Sequence, residues 1–317
     1  ELAGGEPQTE GESELLSIVR SAIGVSSLTL DEDIFGAGAD SLSVLAIAAA
    51  AQSRGFSIEP HTIMRERTVN RLLAVSASEA DVRSAAWLRD DVTSLQRNLD
   101  GRAEAAPTGA PQLTLLTGAT GFLGSRVLVE WLVAFEGRAV CLVRAEDDQD
   151  AGNRLDRALL HHGIELTPNQ RSRVEAIAGD LSKPDFGWNQ DRWISLARQV
   201  DAVVHMAADV HVFAPYEKLR PANVCGTSSV LRFALDQRIK RLHYASTLSV
   251  FVSTDRNSGV ALEKDDLAQT KTVYGGYAQS KWAAEILLRS APQSLPLNIY
   301  RFGPVSYTHL RAHETAM

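Results

Sequence analysis

A tyrosine and a lysine four residues apart are suited by type and spacing to acid–base chemistry. Tyr277 and Lys281 occur in YGGYAQSKWAAEILL, a stretch whose apolar spacing predicts a helix. Residues four apart lie on one face of a helix, so the phenol and the ammonium group are neighbours. A nearby ammonium group lowers the pKa of a tyrosine, and we therefore expect Tyr277 to give or take a proton near neutral pH.

Two hydroxyl groups stand upstream, at the end of a predicted strand. The segment HYASTLSVF places Ser246 and Thr247 at that end. A hydroxyl in this position can bind a carbonyl oxygen that gains negative charge during a reaction. Together with Tyr277 and Lys281, these hydroxyls predict a site that acts on a carbonyl group.

A glycine-rich turn between a strand and a helix predicts nucleotide binding. In LTLLTGATGFLGSRVLVEWL an apolar strand runs into three glycines, and an amphipathic helix follows at once. Gly118 permits the tight turn, Gly121 lets the backbone approach a pyrophosphate, and Gly124 allows the helix to pack closely. The free N–H groups at the helix N-terminus favour phosphates, so this order of elements predicts a dinucleotide site.

Residues at the ends of the next predicted strands indicate which dinucleotide binds. About 20 residues beyond the glycines, NAD-binding folds hold the ribose 2'-hydroxyl with an acidic residue. This sequence has Arg144 there, in CLVRAEDD, and an arginine pairs with a 2'-phosphate, which predicts NADPH as the cofactor. Asp180, in GDL, is placed to accept from the adenine amine, and Ala207 and Ala208 leave room for the ribose.

The histidines near these strands are interpreted as structural. His205 ends the strand DAVVH without a second ligand at metal spacing, so we expect it to pack rather than to bind a metal ion. His161 and His162 occur in a polar region between a helix and a loop. We predict no metal site.

The composition describes a globular chain with an acidic first quarter. Of 317 residues, 44% are hydrophobic and 22% are charged, which excludes a disordered or fibrous chain. Residues 1–80 carry 12 acidic and 5 basic residues, whereas residues 81–317 carry 27 of each, which argues against a nucleic-acid partner. The sequence shows no signal peptide or membrane span, and its two cysteines fit a reducing cytoplasm.

Residues 12–78 are predicted to form a small all-α unit of four helices. Apolar residues at helical spacing run up to Gly24, which ends the first helix. Asp40 or Ser41 caps an Ala-rich helix, and Thr68 caps the last one. A unit of this length is close to the smallest that supports its own core.

An α/β domain is predicted to follow, after a linker at residues 79–111 that contains a charged helix. Six short apolar runs alternate with helical stretches from residue 112 onward: LTLLT, AVCLV, VEAIA, DAVVH, RLHYAS and LNIYR. This alternation predicts a doubly wound Rossmann-type fold, a parallel sheet with helices on both faces, over residues 112–305.

The α/β domain resembles the extended short-chain dehydrogenase/reductase superfamily. TGATGFLG, CLVRA, GDL, ASTLSV and YAQSK are most similar to its thioester-reductase branch, whose domains terminate nonribosomal peptide synthetases, carboxylic acid reductases and aminoadipate reductases. The resemblance implies a catalytic trio of Thr247, Tyr277 and Lys281. The cofactor-binding residues that it implies are Gly118, Thr120, Gly121, Phe122, Leu123, Gly124, Arg144, Asp180, Leu181, Ala207, Ala208, Tyr277 and Lys281.

The helical unit is similar to acyl and peptidyl carrier proteins. GADSLSVLAIAAAAQSRG matches their GGDSL motif with Ala39 in place of the second glycine, and Phe35 and the segment RTVNRLLA also fit. The resemblance implies that Ser41 carries 4'-phosphopantetheine, although Asp-Ser before a helix is also an ordinary cap. The implied partners are a phosphopantetheinyl transferase, an acyl or peptidyl thioester, and upstream adenylation or condensation domains.

Carrier and reductase together imply reductive release of a tethered thioester. A pantetheine arm on Ser41 delivers the thioester, NADPH gives hydride to its carbonyl carbon, and Tyr277 with Thr247 stabilises the oxyanion. Expulsion of the thiol then leaves an aldehyde, which a second hydride converts to an alcohol.

Three other functions stay open at this stage. The α/β domain could act on a free small molecule as a nucleotide-sugar epimerase or dehydratase, it could perform a condensation-type release, or it could serve as a silent docking domain for the carrier. The last residues, 306–317, read SYTHLRAHETAM and resemble a translated sequencing adapter. We therefore expect a non-native tail and a reductase domain that is incomplete on its C-terminal, substrate-binding side.

Overall fold

The computed structural model of this chain describes residues 7–56, 58–75, 84–96, 108–211, 214–251, 262–263, 265, 267, 270–273 and 275–303. The chain forms two compact units. The first comprises Glu1–Leu88, His211–Tyr216 and Phe251–Gln279, and the second comprises Arg89–Val210, Glu217–Val250 and Ser280–Met317. Two segments beyond the predicted linker are therefore grouped with the first unit, and the predicted tail lies outside the described residues.

Four helices form the N-terminal part of the first unit: α1 (Glu10–Ile23), α2 (Ser41–Ser53), α3 (Pro60–Glu66) and α4 (Val69–Val75). Thr9 and Glu12 form a capping box before α1, and Gly24 ends that helix in the left-handed region at φ 74°. The four helices share one core, which includes Leu15, Leu16, Val19, Ile34, Val44, Ile47, Ile58, Ile63, Val69 and Leu72. The predicted all-α unit is confirmed.

Arg67 holds the long loop that precedes α2. Its guanidinium group donates to Asp33 at 2.7 Å and lies over the Phe35 ring, 4.9 Å from the ring centroid. The backbone repeats the connection, because the Ile34 N–H donates to the Arg67 carbonyl oxygen at 2.9 Å. These contacts fix the loop that leads into Asp40 and Ser41.

The second unit contains a six-stranded sheet in which every neighbouring pair is parallel. Its strands are β1 (Leu113–Thr117), β2 (Arg138–Val143), β3 (Val174–Ala178), β4 (Ala202–His205), β5 (Arg241–Thr247) and β6 (Leu297–Phe302), in the order β3-β2-β1-β4-β5-β6. The order reverses direction at β1, and ligands of doubly wound sheets bind at such a point, beyond the carboxyl ends of the strands. The predicted fold class is confirmed.

Helices connect the strands of this sheet. They are α6 (Phe122–Ala134), α7 (Asp148–His161), α8 (Pro168–Ser172), α9 (Gln190–Gln199), α10 (Tyr216–Arg220), α11 (Gly226–Leu235) and α12 (Gly276–Arg289). A π-helical turn, Pro221–Cys225, joins α10 to α11. Apolar side chains of α6 and α7 pack on β1, β2 and β3, and they include Leu128, Leu132, Leu155 and Leu159.

One further helix, α5 (Ala85–Gln96), lies within the predicted linker. Asp91 of α5 receives hydrogen bonds from Arg220, the shortest at 2.7 Å, and the Arg89 guanidinium lies over the Trp282 ring at 5.7 Å. The charged helix that the sequence predicted here is therefore present, and its second half packs in the sheet unit.

Among the described residues, no helix combines the length and the apolar character needed to cross a bilayer. The same residues contain no group of three or more histidine, cysteine or acidic side chains placed to hold a metal ion.

Candidate functional site

The glycine-rich turn after β1 has no room for side chains at two of its three glycines. Gly118 has φ 81°, and a Cβ atom there would lie 2.5 Å from the backbone nitrogen of Ala207. A Cβ atom at Gly124 would collide with the carbonyl oxygen of Gly118. A Cβ atom at Gly121 would have the Gly118 carbonyl oxygen as its nearest neighbour, at 3.4 Å, so this position is open to an approaching group. The turn thus has the shape that close approach of a pyrophosphate requires.

Helix α6 starts at Phe122 directly after this turn. Gly121 is its N-cap and offers no side-chain acceptor to the first turn of the helix. Phe122, Leu123 and Gly124 therefore contribute first-turn N–H groups at the positive end of the helix dipole, which is a favourable place for phosphate oxygens. A dinucleotide fits this arrangement, because the turn is open and the helix end lacks a competing cap.

His162 lies against the same turn, which the sequence did not predict. Its ring contacts the Phe122 ring edge-on with centroids 6.0 Å apart, and Nε2 lies 3.4 Å from the Thr120 carbonyl oxygen. Its carbonyl oxygen accepts from Arg126 at 2.9 Å. No motif marks His162, because its neighbours come from a segment about 40 residues earlier in the chain.

Arg144 and Asp180 lie at neighbouring strand ends, as predicted. Arg144 follows β2 directly and is exposed, and Asp180 follows β3 within two residues. Burial opposes ionisation of Asp180, but hydrogen bonds from Ser182 and the charges of Arg144 and Lys183 hold its pKa below the usual value. The charge of Arg144 therefore acts on Asp180 across these two strand ends. Leu181 follows Asp180 there and is half-buried.

His205 is the last residue of β4 and lies opposite Thr117, the last residue of β1 before the turn. It is buried between two threonine hydroxyls, with Nδ1 2.7 Å from Thr117 Oγ1 and Nε2 3.0 Å from Thr227 Oγ1. Burial, with a smaller effect from the charge of Lys281, lowers the pKa of His205 to about 3, so the ring is neutral. This environment agrees with the packing role predicted for it, and Ala207 and Ala208 follow it at the strand end, both half-buried.

Lys281 joins α12 to the end of β5. Its Nζ donates to the Ala245 carbonyl oxygen at 2.7 Å and lies 4.3 Å from the centroid of the Tyr244 ring. Burial lowers the pKa of Lys281 to about 7, and Glu285 opposes that shift. Thr247, two residues beyond Ala245, is half-buried, and its hydroxyl accepts from the Ser249 N–H at 3.1 Å. The structure therefore brings the lysine and the strand end together.

Tyr277 is the second residue of α12, one helical turn before Lys281. The shared helix agrees with the predicted spacing, but the predicted pKa is wrong in direction. Burial raises the pKa of Tyr277. The physical reason is that loss of solvent opposes the phenolate, while Lys281 is itself too buried to be fully charged near neutral pH.

A buried carboxylate next to these residues escaped the sequence analysis. Glu285 accepts from the Ser246 hydroxyl at 2.5 Å and from the Arg301 Nη2 at 2.7 Å. The Ser246 hydroxyl thus donates to Glu285, whereas the Thr247 hydroxyl donates to the exchangeable hydroxyl of Ser249 at 3.1 Å. A charged residue in the apolar stretch WAAEILL, four residues after Lys281, is the only sequence signal that pointed to it.

Ser41, the residue predicted to carry 4'-phosphopantetheine, lies at the start of α2 in the first unit. Asp40 is the N-cap, and its carboxylate accepts from the Ser43 N–H at 2.8 Å. This settles which residue caps the helix and leaves Ser41 as its first residue, with an exposed side chain. The next residue, Leu42, is 53% exposed. Ser41 is therefore accessible and lies where the helix dipole favours a phosphodiester.

Comparison with known families defines the class of the chain. Residues 13–75 match the family described as a phosphopantetheine attachment site, and residues 116–313 match the family described as Male sterility protein, an NAD-binding domain. A helical carrier domain therefore precedes a Rossmann-like reductase domain. The chain belongs to the Male sterility protein family of thioester reductase domains, which confirms the resemblance seen in its motifs.

Individual relatives agree with this assignment. The chain is 33% identical to the isonitrile lipopeptide synthase of Mycobacterium tuberculosis over 93% of its own length and 13% of that protein. It is 38% identical to the carboxylic acid reductase of Mycobacterium marinum over 59% of its length and 17% of that protein. The chain thus spans less than a fifth of the length of these two relatives.

Solved structures show the same architecture. The terminal R domain of the myxalamid PKS-NRPS biosynthetic pathway is 35% identical, with a TM-score of 0.62 over 68% of this chain and 56% of that one. A thiolation-reductase di-domain from an archaeal non-ribosomal peptide synthetase shares the fold at 23% identity, with a TM-score of 0.53 over 95% of this chain and 65% of that one.

Proposed function

We propose that this chain holds an acyl or peptidyl thioester on 4'-phosphopantetheine at Ser41 and releases it reductively as an aldehyde with NADPH. The observation that carries the proposal is the presence, in one chain, of an accessible serine at the start of α2 and of a parallel sheet with a glycine turn after β1 and with Thr247 at the end of β5, where Lys281 binds. Tethering supplies the substrate at high effective concentration, so the carrier needs only weak docking. A second reduction of the same product gives an alcohol.

Each side chain has a role in this proposal. NADPH supplies the hydride. Thr247 and Tyr277 donate hydrogen bonds to the thioester oxygen as it gains negative charge, because a hydroxyl or phenol held in place stabilises an oxyanion better than reorganising water does. Lys281 orients the cofactor ribose and supports proton transfer through Tyr277. Arg144 pairs with the 2'-phosphate, and Asp180 accepts from the adenine amine.

The proposed partners follow from this chemistry. A phosphopantetheinyl transferase attaches the arm to Ser41, and upstream adenylation or condensation domains load it with the acyl or peptidyl group. The excess of acidic residues in the first 80 residues suits docking on basic surfaces of such proteins.

The direct test loads the arm with an acyl group from acyl-coenzyme A and then adds NADPH. We expect NADPH absorbance to fall and the loaded mass to return to that of the free arm, with an aldehyde or alcohol in the supernatant. Persistence of the thioester in a chain that binds NADPH would favour the docking role. Reduction of a free carbonyl compound by a chain without the arm would favour a small-molecule enzyme.

Arg144→Ala is expected to weaken NADPH binding at least tenfold and to leave NADH binding unchanged, because a charge-assisted contact with the 2'-phosphate contributes about 1.5–3 kcal/mol. Calorimetric titration of the full chain with each nucleotide measures both affinities. Arg138→Ala is the matched control, since Arg138 starts the same strand at its opposite end and pairs with Glu175 on the surface. Equal affinity of the wild-type chain for NADH and NADPH would refute the preference.

A further inference from the structure

Glu285 is a fully buried carboxylate with three hydrogen-bond donors. The Ser246 hydroxyl donates to Oε1 at 2.5 Å, and Arg301 donates from Nε at 3.0 Å and from Nη2 at 2.7 Å. Glu285 is 0% exposed and the Arg301 side chain is 10% exposed. A buried ion pair of this kind is often no more stabilising than apolar side chains of the same volume, so stability alone does not account for it.

The position of this cluster relative to β5 suggests another role. Successive turns of α12 hold successive residues of the strand, since Lys281 donates to the Ala245 carbonyl oxygen and Glu285 accepts from Ser246. The next residue along β5 is Thr247. Arg301, from β6, completes the connection, so three elements are tied together at the strand end that carries the proposed catalytic hydroxyl.

The titratable and charged groups near Lys281 lie on its own helix and on strands β4, β5 and β6. On its own helix they are Glu285 and, 3.7 Å from the Glu285 carboxylate, Arg289. Strand β4 contributes the neutral His205, β5 contributes the Tyr244 ring, and β6 contributes Arg301 through Glu285. Glu285 is the one carboxylate of this set, and it opposes the loss of charge that burial causes at Lys281.

We propose that Glu285 is a positioning residue of the reductase site, which holds the end of β5 that bears Thr247 against α12 and places a carboxylate one helical turn from Lys281. The proposal rests on the proposed function only for the roles of Thr247 and Lys281. Loss of the Glu285 charge would lower the pKa of Lys281 further, because Glu285 opposes the shift that burial causes. The same carboxylate therefore sets both the geometry and the charge of the site.

The test measures the titration of Lys281 directly, in the full chain without cofactor or thioester. The chain contains six lysines, so the side-chain carbons of labelled lysine give few NMR signals, and Lys281→Arg identifies the relevant one. Burial also lowers the pKa of Lys240 to about 7, and this lysine serves as an internal reference in the same sample. Its amine donates to the carbonyl oxygens of Asp236 and Arg238.

Glu285→Gln keeps the size of the side chain and removes its charge. We expect the titration midpoint of Lys281 to fall by about one pH unit, because one nearby opposite charge is lost, while that of Lys240 stays in place. Glu175→Gln, which breaks a surface pair with Arg138, is the matched control and should move neither midpoint. An unchanged Lys281 midpoint, or equal shifts of both lysines, would overturn the proposal.

A second variant keeps the test decisive if Glu285→Gln fails to fold. Arg301→Gln removes the nearest positive charge from Glu285, which keeps the Ser246 hydroxyl and the more distant Arg289, so the Lys281 midpoint is expected to rise, opposite to the effect of Glu285→Gln. A cluster that served packing alone would not give shifts of opposite sign, and a fall with Arg301→Gln contradicts the proposal. Because no cofactor is present, failure of the proposed reduction does not change this outcome.

Discussion

Incubation with coenzyme A and a promiscuous phosphopantetheinyl transferase is expected to add one pantetheine arm to the wild-type chain and none to Ser41→Ala. Ser41 is exposed at the first position of α2, and the loop before it is fixed by Arg67 through Asp33 and Phe35. The backbone that leads to the hydroxyl is therefore held in place. Intact-mass spectrometry resolves the modified and unmodified chains.

Ser53→Ala is the matched control for this experiment. Ser53 is an exposed serine at the last position of the same helix, and its hydroxyl donates to the Ala50 carbonyl oxygen. We expect this variant to accept the arm as the wild-type chain does. A mass gain in Ser41→Ala would show that the arm is attached to another residue. The absence of a mass gain on the folded wild-type chain would contradict the carrier role in the proposed function.

The sequence predicted those parts of the fold that depend on local pattern. Each of the six apolar runs is a strand at the expected place, because short β-rich runs between helical segments have few other ways to be buried. Gly24 and Thr68 mark helix limits through backbone conformation and capping, which are also local. Helix α3 was not located, since its seven residues are too few to show a period.

The residues of the candidate site could be predicted from the sequence, but their burial and the resulting pKa shifts could not. The spacing of Tyr277 and Lys281 gave a common helix, but only packing reveals that burial raises the pKa of the tyrosine and lowers that of the lysine. Glu285 and Arg301 lie 16 residues apart in the chain and meet because α12 and β6 pack together. No spacing rule encodes such a contact, so tertiary structure alone discloses the charge that faces Lys281.

Substitutions at two glycines of the turn are expected to affect different properties, stability at Gly124 and cofactor affinity at Gly121. Gly124→Ala is expected to destabilise the chain by about 3 kcal/mol, because the added methyl group meets a backbone carbonyl oxygen that has no rotamer to adopt. Denaturant unfolding followed by circular dichroism measures the loss. Gly152→Ala is the control of opposite sign: it lies inside α7 with open space around its Cβ and should gain about 1 kcal/mol. Equal stability of the Gly124 and Gly152 variants would contradict the packing argument.

Gly121→Ala isolates the binding function of the same turn. Its Cβ would lie 3.4 Å from the Gly118 carbonyl oxygen, an ordinary contact, and its φ of −87° suits alanine. The variant should therefore unfold like the wild-type chain. A methyl group there nevertheless stands where a pyrophosphate must approach the backbone, so NADPH affinity is expected to fall at least tenfold. An NADPH affinity of Gly121→Ala equal to that of the wild-type chain would mean that the cofactor does not cross this turn. Wild-type stability together with a lost NADPH affinity would support binding of the cofactor at the turn.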